Sequence, residues 1–135
     1  MKAKNNRGFS LVELIIVIAI MAILIGVLAP QYIKYVEKSR MSSDDDLADT
    51  LLTAGYLMAA DEDYVENLSD GNSITLTSTG ITVNQAGTTV EDGLNEFVSG
   101  WENKRAISKN YRNKSYVVLF SENDGAFLVS GSWTP

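Results

Sequence analysis

An uncharged apolar run near the N-terminus constrains this chain more than any other feature. No charged side chain occurs from Leu14 to Ile33, and about 20 such residues are enough to cross a bilayer as a helix. A basic segment, residues 1–8, precedes the run, and one carboxylate, Glu13, lies just inside its start. By the positive-inside rule, the basic segment stays in the cytoplasm and the C-terminal part is outside. The sequence therefore predicts a single-pass membrane protein with an extracellular domain.

The helix predicted from this run continues well beyond a membrane. It extends from Phe9 to about Ala60, apolar almost all round in its first half and amphipathic in its second. At about 1.5 Å per residue it would be roughly 75–80 Å long, so the second half must project from the bilayer. A break at residues 42–44, with Ser-Ser-Asp capping a new helix, is the alternative. The predicted apolar stripe of the second half consists of Tyr32, Val36, Leu47, Leu51, Ala54 and Met58.

The rest of the chain predicts a small β-sheet head. A short helix is expected over residues 91–104, with Leu94, Phe97, Val98 and Trp101 on one side. Asn123-Asp124-Gly125 indicates a hairpin, because Asp-Gly tolerates the positive φ of the favoured turns. The predicted fold class is α+β, with a small, mostly antiparallel sheet packed on the second half of a long, membrane-spanning N-terminal helix. The predicted strands are residues 73–78, 81–84, 115–121 and 126–130.

Composition excludes several classes of function. The chain has no Cys and no His, which excludes disulfides and both Ser-His and Cys-His catalysis, and disfavours zinc. Outside the first eight residues, eight of the 11 basic residues remain against 17 acidic ones. An acidic surface argues against nucleic-acid binding, which needs phosphate neutralisation. With no carboxylate pair, phosphate loop or nucleophile motif in the sequence, we expect no catalytic site, cofactor or metal.

The junction between the basic segment and the apolar run carries the functional argument. It is Arg7-Gly8-Phe9-Ser10-Leu11-Val12-Glu13. An ordinary signal peptide is cut after its apolar core, which here would remove the helix. A cut after Gly8 removes only the basic leader and leaves Phe9 as the new N-terminus. An ionised Glu13 in an apolar helix is costly without a partner, and the Phe9 amine, one helical turn away, is a cation that could pair with it in the same chain or a neighbour.

At these residues the chain resembles the type IV prepilin family. The match is a basic leader ending in Gly8, then Phe9, Glu13 and the apolar run, and it covers roughly residues 7–40. The resemblance implies a membrane peptidase that cuts between Gly8 and Phe9 and methylates the new N-terminal Phe9. It also implies that Glu13 contacts the Phe9 amine of an adjacent subunit during assembly.

Two further features bear on the resemblance. Pro30 matches the family's helix proline, which removes a backbone donor and crowds the carbonyl of Gly26. The resemblance implies a local helix break between Gly26 and Pro30 in a filament, whereas an isolated subunit stays helical with at most a bend. The family's frequent C-terminal cysteine pair is absent, so another means must secure the C-terminal loop.

The resemblance implies a structural protein with three parts. These are a cleaved basic leader (1–8), a hydrophobic transmembrane and assembly helix (9–34) and an extracellular head (35–135). We expect self-polymerisation into a helical surface filament for adhesion or twitching motility, with the prepilin peptidase/methyltransferase, the inner assembly machinery and membrane lipid as further partners. One alternative is a pseudopilin of a secretion or DNA-uptake system. Another is a membrane-anchored enzyme or binding module, in which Glu13 snorkels to the interface.

Charged clusters elsewhere are open to two interpretations each. Residues 44–46 and 61–63 could suggest a cation site, but they do not meet the EF-hand pattern, so a solvated acidic face is favoured. Calcium at Glu122 and Asp124 is left as an alternative by the resemblance to secretion-linked relatives. The basic segment 104–114 could touch DNA or an anionic surface; an exposed loop that complements a neighbouring subunit's acidic stretch is favoured. The larger aromatic residues, expected in or over the core, are Phe97, Trp101, Phe120 and Trp133.

Overall fold

The computed structural model describes residues 8–85 and 89–135, so residues 1–7 of the predicted leader lie outside it. The chain divides into two compact units, residues 1–36 and residues 37–135. The predicted α+β fold is confirmed. The elements are α1 (Leu11–Ala60), α2 (Glu62–Val65), β1 (Ser73–Leu76), β2 (Ile81–Val83), α3 (Thr89–Phe97), a 3-10 turn (Trp101–Asn103), β3 (Ser115–Asn123) and β4 (Ala126–Thr134).

The long helix α1 is continuous, and the alternative of a break at residues 42–44 is wrong. The Ser-Ser-Asp sequence does not cap a new helix, because Asp44 points its carboxylate at another segment of the chain. The predicted apolar stripe is confirmed over the second half, where Leu51, Ala54 and Met58 are buried. It is wrong for Tyr32, which is 69% exposed. The core-facing stripe therefore belongs to the C-terminal half of α1.

The four strands form one antiparallel sheet in the order β2-β1-β3-β4. The predicted hairpin joins β3 to β4, and its turn places Asp124 at φ 53° and Gly125 at φ 81°, as a two-residue loop of this kind requires. Strand β4 continues four residues beyond its predicted end, to Thr134. The side chains of β4 alternate between half-buried and exposed along its whole length, which is the pattern of an edge strand with one face on the core.

The inner face of the sheet packs on the second half of α1. The buried residues Ile74, Val118 and Phe120 belong to the same core cluster as Leu51 of the helix. Gly55 lies at the closest approach, since a Cβ there would be 2.9 Å from Val129 Cγ1 and 3.1 Å from Val118 Cγ1. The absence of a side chain at Gly55 thus allows sheet and helix to come into contact.

The predicted helix over residues 91–104 is shorter than expected. Helix α3 ends at Phe97, and the chain re-forms a single 3-10 turn after Gly100, whose φ of 69° is left-handed and interrupts the helix. The predicted apolar side is nevertheless in the core, with Leu94, Val98 and Trp101 buried. The elements after α1 therefore cover the remaining side of the core.

Candidate functional site

The residues at the predicted cleavage point are not needed for packing in the described chain. Gly8, Phe9 and Ser10 precede α1 and are all exposed, and the Phe9 side chain is 91% exposed. A Cβ added to Gly8 would meet no atom within 4 Å. The fold of the subunit therefore gives no reason for a glycine followed by a phenylalanine at this point.

Ser10 and Glu13 form a reciprocal cap at the start of α1. The Glu13 N–H donates to Ser10 Oγ and the Ser10 N–H donates to Glu13 Oε2, both at 3.2 Å. This capping box satisfies two backbone donors and places the carboxylate near the positive end of the helix dipole. Sequence reasoning identified Glu13 but missed Ser10 as its partner, although Ser-x-x-Glu before an apolar run is the signature of the motif.

The first half of α1 presents an apolar surface on all sides. Every residue from Leu11 to Tyr35 is exposed, and each large aliphatic side chain of this stretch is at least 50% exposed. The helix is long and apolar enough to cross a membrane, and no part of its most apolar 18-residue stretch is buried. A surface of this size in water would be a site of association, because soluble monomers rarely expose large apolar patches. Such a surface is suited to contact with lipid or with other apolar helices.

Gly26 and Pro30 both lie inside the continuous helix. Pro30 is within α1, and a Cβ at Gly26 would meet no atom within 4 Å. The continuity agrees with the expectation for a single subunit. The helix break between these residues in a filament stays a prediction.

Asp44 is a buried carboxylate that ties α1 to the segment before β3. Asp44 is 1% exposed. Its carboxylate oxygens accept hydrogen bonds from the N–H groups of Ile107 at 2.8 Å and Ser108 at 2.7 Å. Burying a carboxylate is costly unless its hydrogen bonds are made, and two backbone amides make them here. Asp44 thus holds in place a segment that follows it by more than 60 residues in sequence.

Glu37 holds the same segment two helical turns earlier. Its Oε1 accepts the Ser108 hydroxyl at 2.6 Å and the Asn110 N–H at 3.1 Å. The hydrogen bond from Ser108 lowers the pKa of Glu37, and the charge of nearby Arg40 acts in the same direction. Because residues 37 and 44 are seven apart, they lie on one face of α1. We call Glu37 and Asp44 the carboxylate clamp.

Asp45 joins the end of the last strand to α1. Its Oδ1 accepts both the Tyr111 hydroxyl at 3.0 Å and Trp133 Nε1 at 3.2 Å. The two rings stack with centroids 4.1 Å apart. Burial and the bond to Asp45 raise the pKa of Tyr111. Together with the carboxylate clamp, this cluster secures the C-terminal part of a chain that has no cysteine.

Two expectations about charged residues need correction. The solvated acidic face predicted for residues 44–46 is wrong for Asp44, which is buried, whereas Asp45 and Asp46 are exposed as predicted. Helical spacing alone does not show that backbone amides replace water around a carboxylate. The exposed loop predicted for residues 104–114 is wrong at Ala106 and Ser108, which are buried, and Ser108 bonds to α1. Its five basic side chains are exposed as expected.

The remaining acidic clusters lie on the surface. Asp61 caps α2 by accepting the Asp63 N–H at 2.9 Å. Glu122 and Asp124 are exposed at the hairpin, where the Glu122 N–H donates to Asp70 at 3.0 Å. Within residues 8–85 and 89–135, no three His, Cys, Asp or Glu side chains are grouped to hold a metal ion.

Comparisons with known proteins bear on both the N-terminal helix and the head. Residues 3–29 match the family described as the prokaryotic N-terminal methylation motif, a span that contains Gly8, Phe9, Glu13 and Gly26. Fimbrial protein EcpC of Eikenella corrodens is 30% identical over 132 residues, which cover 90% of this chain and 79% of that protein. The chain belongs to the type IV pilin family.

A second relative of this pilin is the type IV major pilin protein PilA of Myxococcus xanthus (strain DK1622). It is 38% identical over 66 residues, which cover 49% of this pilin but only 30% of the relative. No solved structure shows a significant match to this pilin. By their names, the relatives are structural proteins of fimbriae and pili.

Proposed function

We propose that this pilin is the structural, non-enzymatic subunit of a type IV pilus. The observation that carries the proposal is the fully exposed apolar surface of α1 from Leu11 to Tyr35. In the precursor, membrane lipid covers this surface; in the filament, the same surfaces of neighbouring subunits cover one another. The parts are a leader (1–8), a transmembrane and assembly helix (9–34) and an extracellular head (35–135).

We propose processing between Gly8 and Phe9 by a prepilin peptidase that then methylates the Phe9 amine. Support comes from the exposure of both residues and from the open space around Gly8, since nothing in the subunit requires a glycine there. We attribute the requirement for glycine at position 8 to the peptidase, which must reach the peptide bond between Gly8 and Phe9. The cut keeps the apolar helix and creates a new positive charge at its end.

We propose that Glu13 acts in assembly. In the described chain its carboxylate accepts only a backbone N–H, that of Ser10, at an exposed helix start. When the helix enters a packed apolar bundle, the methylated Phe9 amine of a neighbour offers a charged donor, and such bonds are roughly twice as strong as neutral ones. The pair favours one axial offset between subunits, as buried polar groups do when they set register.

We propose that the filament is on the cell surface and serves adhesion or twitching motility, after export by the inner assembly machinery. The names of the relatives, a fimbrial protein and a major pilin, favour this over the pseudopilus of a secretion system. A membrane-anchored module would need no surface able to pack against copies of itself.

The test combines the native N-terminus with the filament. We expect mass spectrometry of surface-sheared protein to find methylated Phe9 as the first residue, and electron microscopy of the same material to show thin filaments. The matched variant is Gly8→Val, which meets no steric obstacle within the subunit, and we expect it to accumulate uncut in the membrane without filaments. Intact residues 1–8 on surface protein, or cleaved protein with no filaments, would overturn the proposal.

A further inference from the structure

Charge is separated along the sequence of the head. No Lys or Arg occurs in residues 61–103, which carry nine acidic residues. The next eleven residues, 104–114, carry five basic residues and no acidic one. The like charges within each block repel one another, and each block attracts a block of opposite sign. The structure shows where each block lies relative to α1.

The basic block lies beside the early part of the head's helix, because the carboxylate clamp holds it there. Three arginines, Arg40, Arg105 and Arg112, line a groove of about 550 Å³. The rest of the lining is neutral, namely Ser78, Ala106, Ile107 and Ser108. The arginine side chains are exposed, while the backbone of the groove is fixed by the bond from Ser78 Oγ to the Arg112 carbonyl at 3.2 Å. We call this the arginine groove.

Part of the acidic block lies at the other end of α1. The helix ends at Ala60, and Asp61, Glu62 and Asp63 follow directly; we call residues 61–63 the acidic turn. The Tyr64 hydroxyl beside it donates to Glu96 of α3. That bond, burial and the charges of Glu96, Asp61 and Asp92 raise the pKa of Tyr64 to about 12.

The groove and the turn cannot meet within one head. Asp44, which holds the basic block, is 16 residues before Ala60 in a continuous helix, a separation of roughly 24 Å. Guanidinium groups are suited to bidentate pairing with carboxylates, and the acidic turn presents three in succession. Each surface is therefore complementary to the opposite end of another copy.

We infer that the arginine groove of one head receives the acidic turn of a second copy of this chain. The inference rests on the proposed function, because it requires a filament of parallel subunits. In such a filament one end of each head faces the opposite end of the next head, which is a heterologous contact. An antiparallel arrangement would oppose arginines to arginines, and like charges placed together disfavour a contact. The contact therefore fixes the direction in which heads follow one another.

Charge reversal in the full chain tests the contact. We expect Arg112→Glu to lower the yield of sheared filament about tenfold, because it places like charges together. Lys114→Glu is the matched control, since it makes the same charge change two residues away, outside the groove, and we expect near wild-type yield. The double variant Glu62→Lys/Asp63→Lys, with Arg112 unchanged, is expected to lower the yield of filament as well. Asp61 is kept because it caps α2.

Combining Arg112→Glu with the reversed acidic turn separates the contact from a folding defect. We expect the combination to restore most of the filament yield, because opposite charges again face each other. Levels of cleaved subunit are measured in every strain. If Arg112→Glu assembles normally, or if the combination fails to restore assembly while its cleaved subunit is present at wild-type level, the inference is wrong. If the wild-type chain forms no filament, the proposed function fails instead.

Cysteine cross-linking locates the contact without changing any charge. The chain has no cysteine, so Ser78→Cys, in the groove, and Ala60→Cys, beside the acidic turn, are the only thiols in the double variant. We expect oxidation of its filaments to give a ladder of dimers, trimers and longer chains. Each single variant gives dimers at most. A double variant that forms filaments but yields only monomers after oxidation would overturn the inference.

Discussion

At the scale of single residues, Glu13 is the residue whose donor we propose to change when the leader is removed. In the described chain it closes a capping box with Ser10. In the proposed processing, removal of the leader adds a charged amine at Phe9, and in the proposed assembly a neighbouring copy brings that amine to Glu13. A glutamine at this position keeps the cap, because Gln also serves in capping boxes, but it cannot neutralise an amine.

We therefore expect Glu13→Gln to prevent filament assembly while leaving membrane insertion, leader cleavage and the head intact. Breaking a buried charge pair from one side costs about 3–5 kcal/mol. The measurement compares cleaved subunit with sheared filament. Ser10→Ala is the control, because it removes a cap bond worth about 1 kcal/mol but keeps the charge, so filaments should persist. Wild-type filament levels from Glu13→Gln would remove the charge-pair mechanism.

Asp44 gives a residue-scale prediction about the head. Asn can accept only one of the two amides that Asp44 accepts, and it turns an NH₂ donor toward the other. We expect Asp44→Asn to lower the free energy of unfolding by about 2 kcal/mol, the cost of a buried donor left unpaired. Denaturant unfolding of the detergent-solubilised chain, followed by tryptophan fluorescence, measures it. Asp46→Asn, on the exposed side of the same helix, should change it by less than about 0.5 kcal/mol; equal effects would contradict the clamp.

Glu37 makes the same attachment sensitive to acid. Its pKa is lowered from the ordinary value of 4.5 in the folded chain, so its contribution to stability is present above pH 4.5 and is lost as the pH falls through the folded value. We expect Glu37→Gln to have a lower melting temperature than wild type at pH 6. The difference should shrink as the pH falls below 4.5, because the carboxyl is then protonated first in the unfolded chain and, at lower pH, in the folded chain. A difference that does not change with pH would contradict this role.

Single residues also show where sequence reasoning stops. Glu13 can be identified from sequence because a charge in an apolar run is conspicuous whatever the rest of the chain does. Asp44 cannot, because its partners are backbone amides of Ile107 and Ser108, which carry no residue-type signal and come close only in the folded head. The same holds for Asp45, whose aromatic partners come from two different segments.

At the scale of elements, α1 combines two weak points within one helix. Gly lowers helix propensity by about 1 kcal/mol and Pro by about 3 kcal/mol, and Gly26 and Pro30 are about one turn apart. Helix α1 is nevertheless continuous through both in the subunit. A melted turn leaves backbone N–H and C=O groups without hydrogen-bond partners. In a filament, neighbouring helices can supply those partners.

We therefore expect local loss of helix between Gly26 and Pro30 in the filament. A filament map from electron cryo-microscopy at side-chain resolution measures it directly. In the Pro30→Ala variant the ladder of hydrogen bonds should remain closed, because Ala restores the missing donor and is the best helix former. An unbroken ladder through residues 26–30 in wild-type filaments would contradict the prediction.

Elements with strong local signals were the ones that the sequence could predict. The β3–β4 hairpin was predictable because Asp124-Gly125 determines the turn by itself, and α1 because its apolar pattern is long. The ends of α3 and β4 were not, since they depend on contacts made elsewhere. Helix α3 ends at Phe97, three residues before the left-handed Gly100, and β4 extends to Thr134, past Trp133, whose ring stacks on Tyr111 from a distant segment.

At the scale of the whole molecule, the exposed apolar surface of α1 and the folded core belong to different stretches of the chain. The continuous run of exposed residues in α1 ends at Tyr35, and the second compact unit begins at residue 37. All buried residues of the core are at position 44 or later. The carboxylate clamp begins at Glu37, so a head that starts at residue 36 keeps every contact described for it.

We therefore expect deletion of residues 1–35 to leave a soluble head that unfolds cooperatively and does not polymerise. The deletion removes the apolar surface that needs lipid or other helices, and it retains the stripe of Leu51, Ala54 and Met58 that completes the core. Size-exclusion chromatography, thermal unfolding and electron microscopy measure the three properties. A matched deletion of residues 1–46 removes the clamp and Asp45 as well, so we expect it to be less stable or unfolded. Filaments from the head alone would show that assembly does not depend on the apolar half of α1. Equal stability of the two truncated chains would show that the carboxylate clamp does not hold the head together.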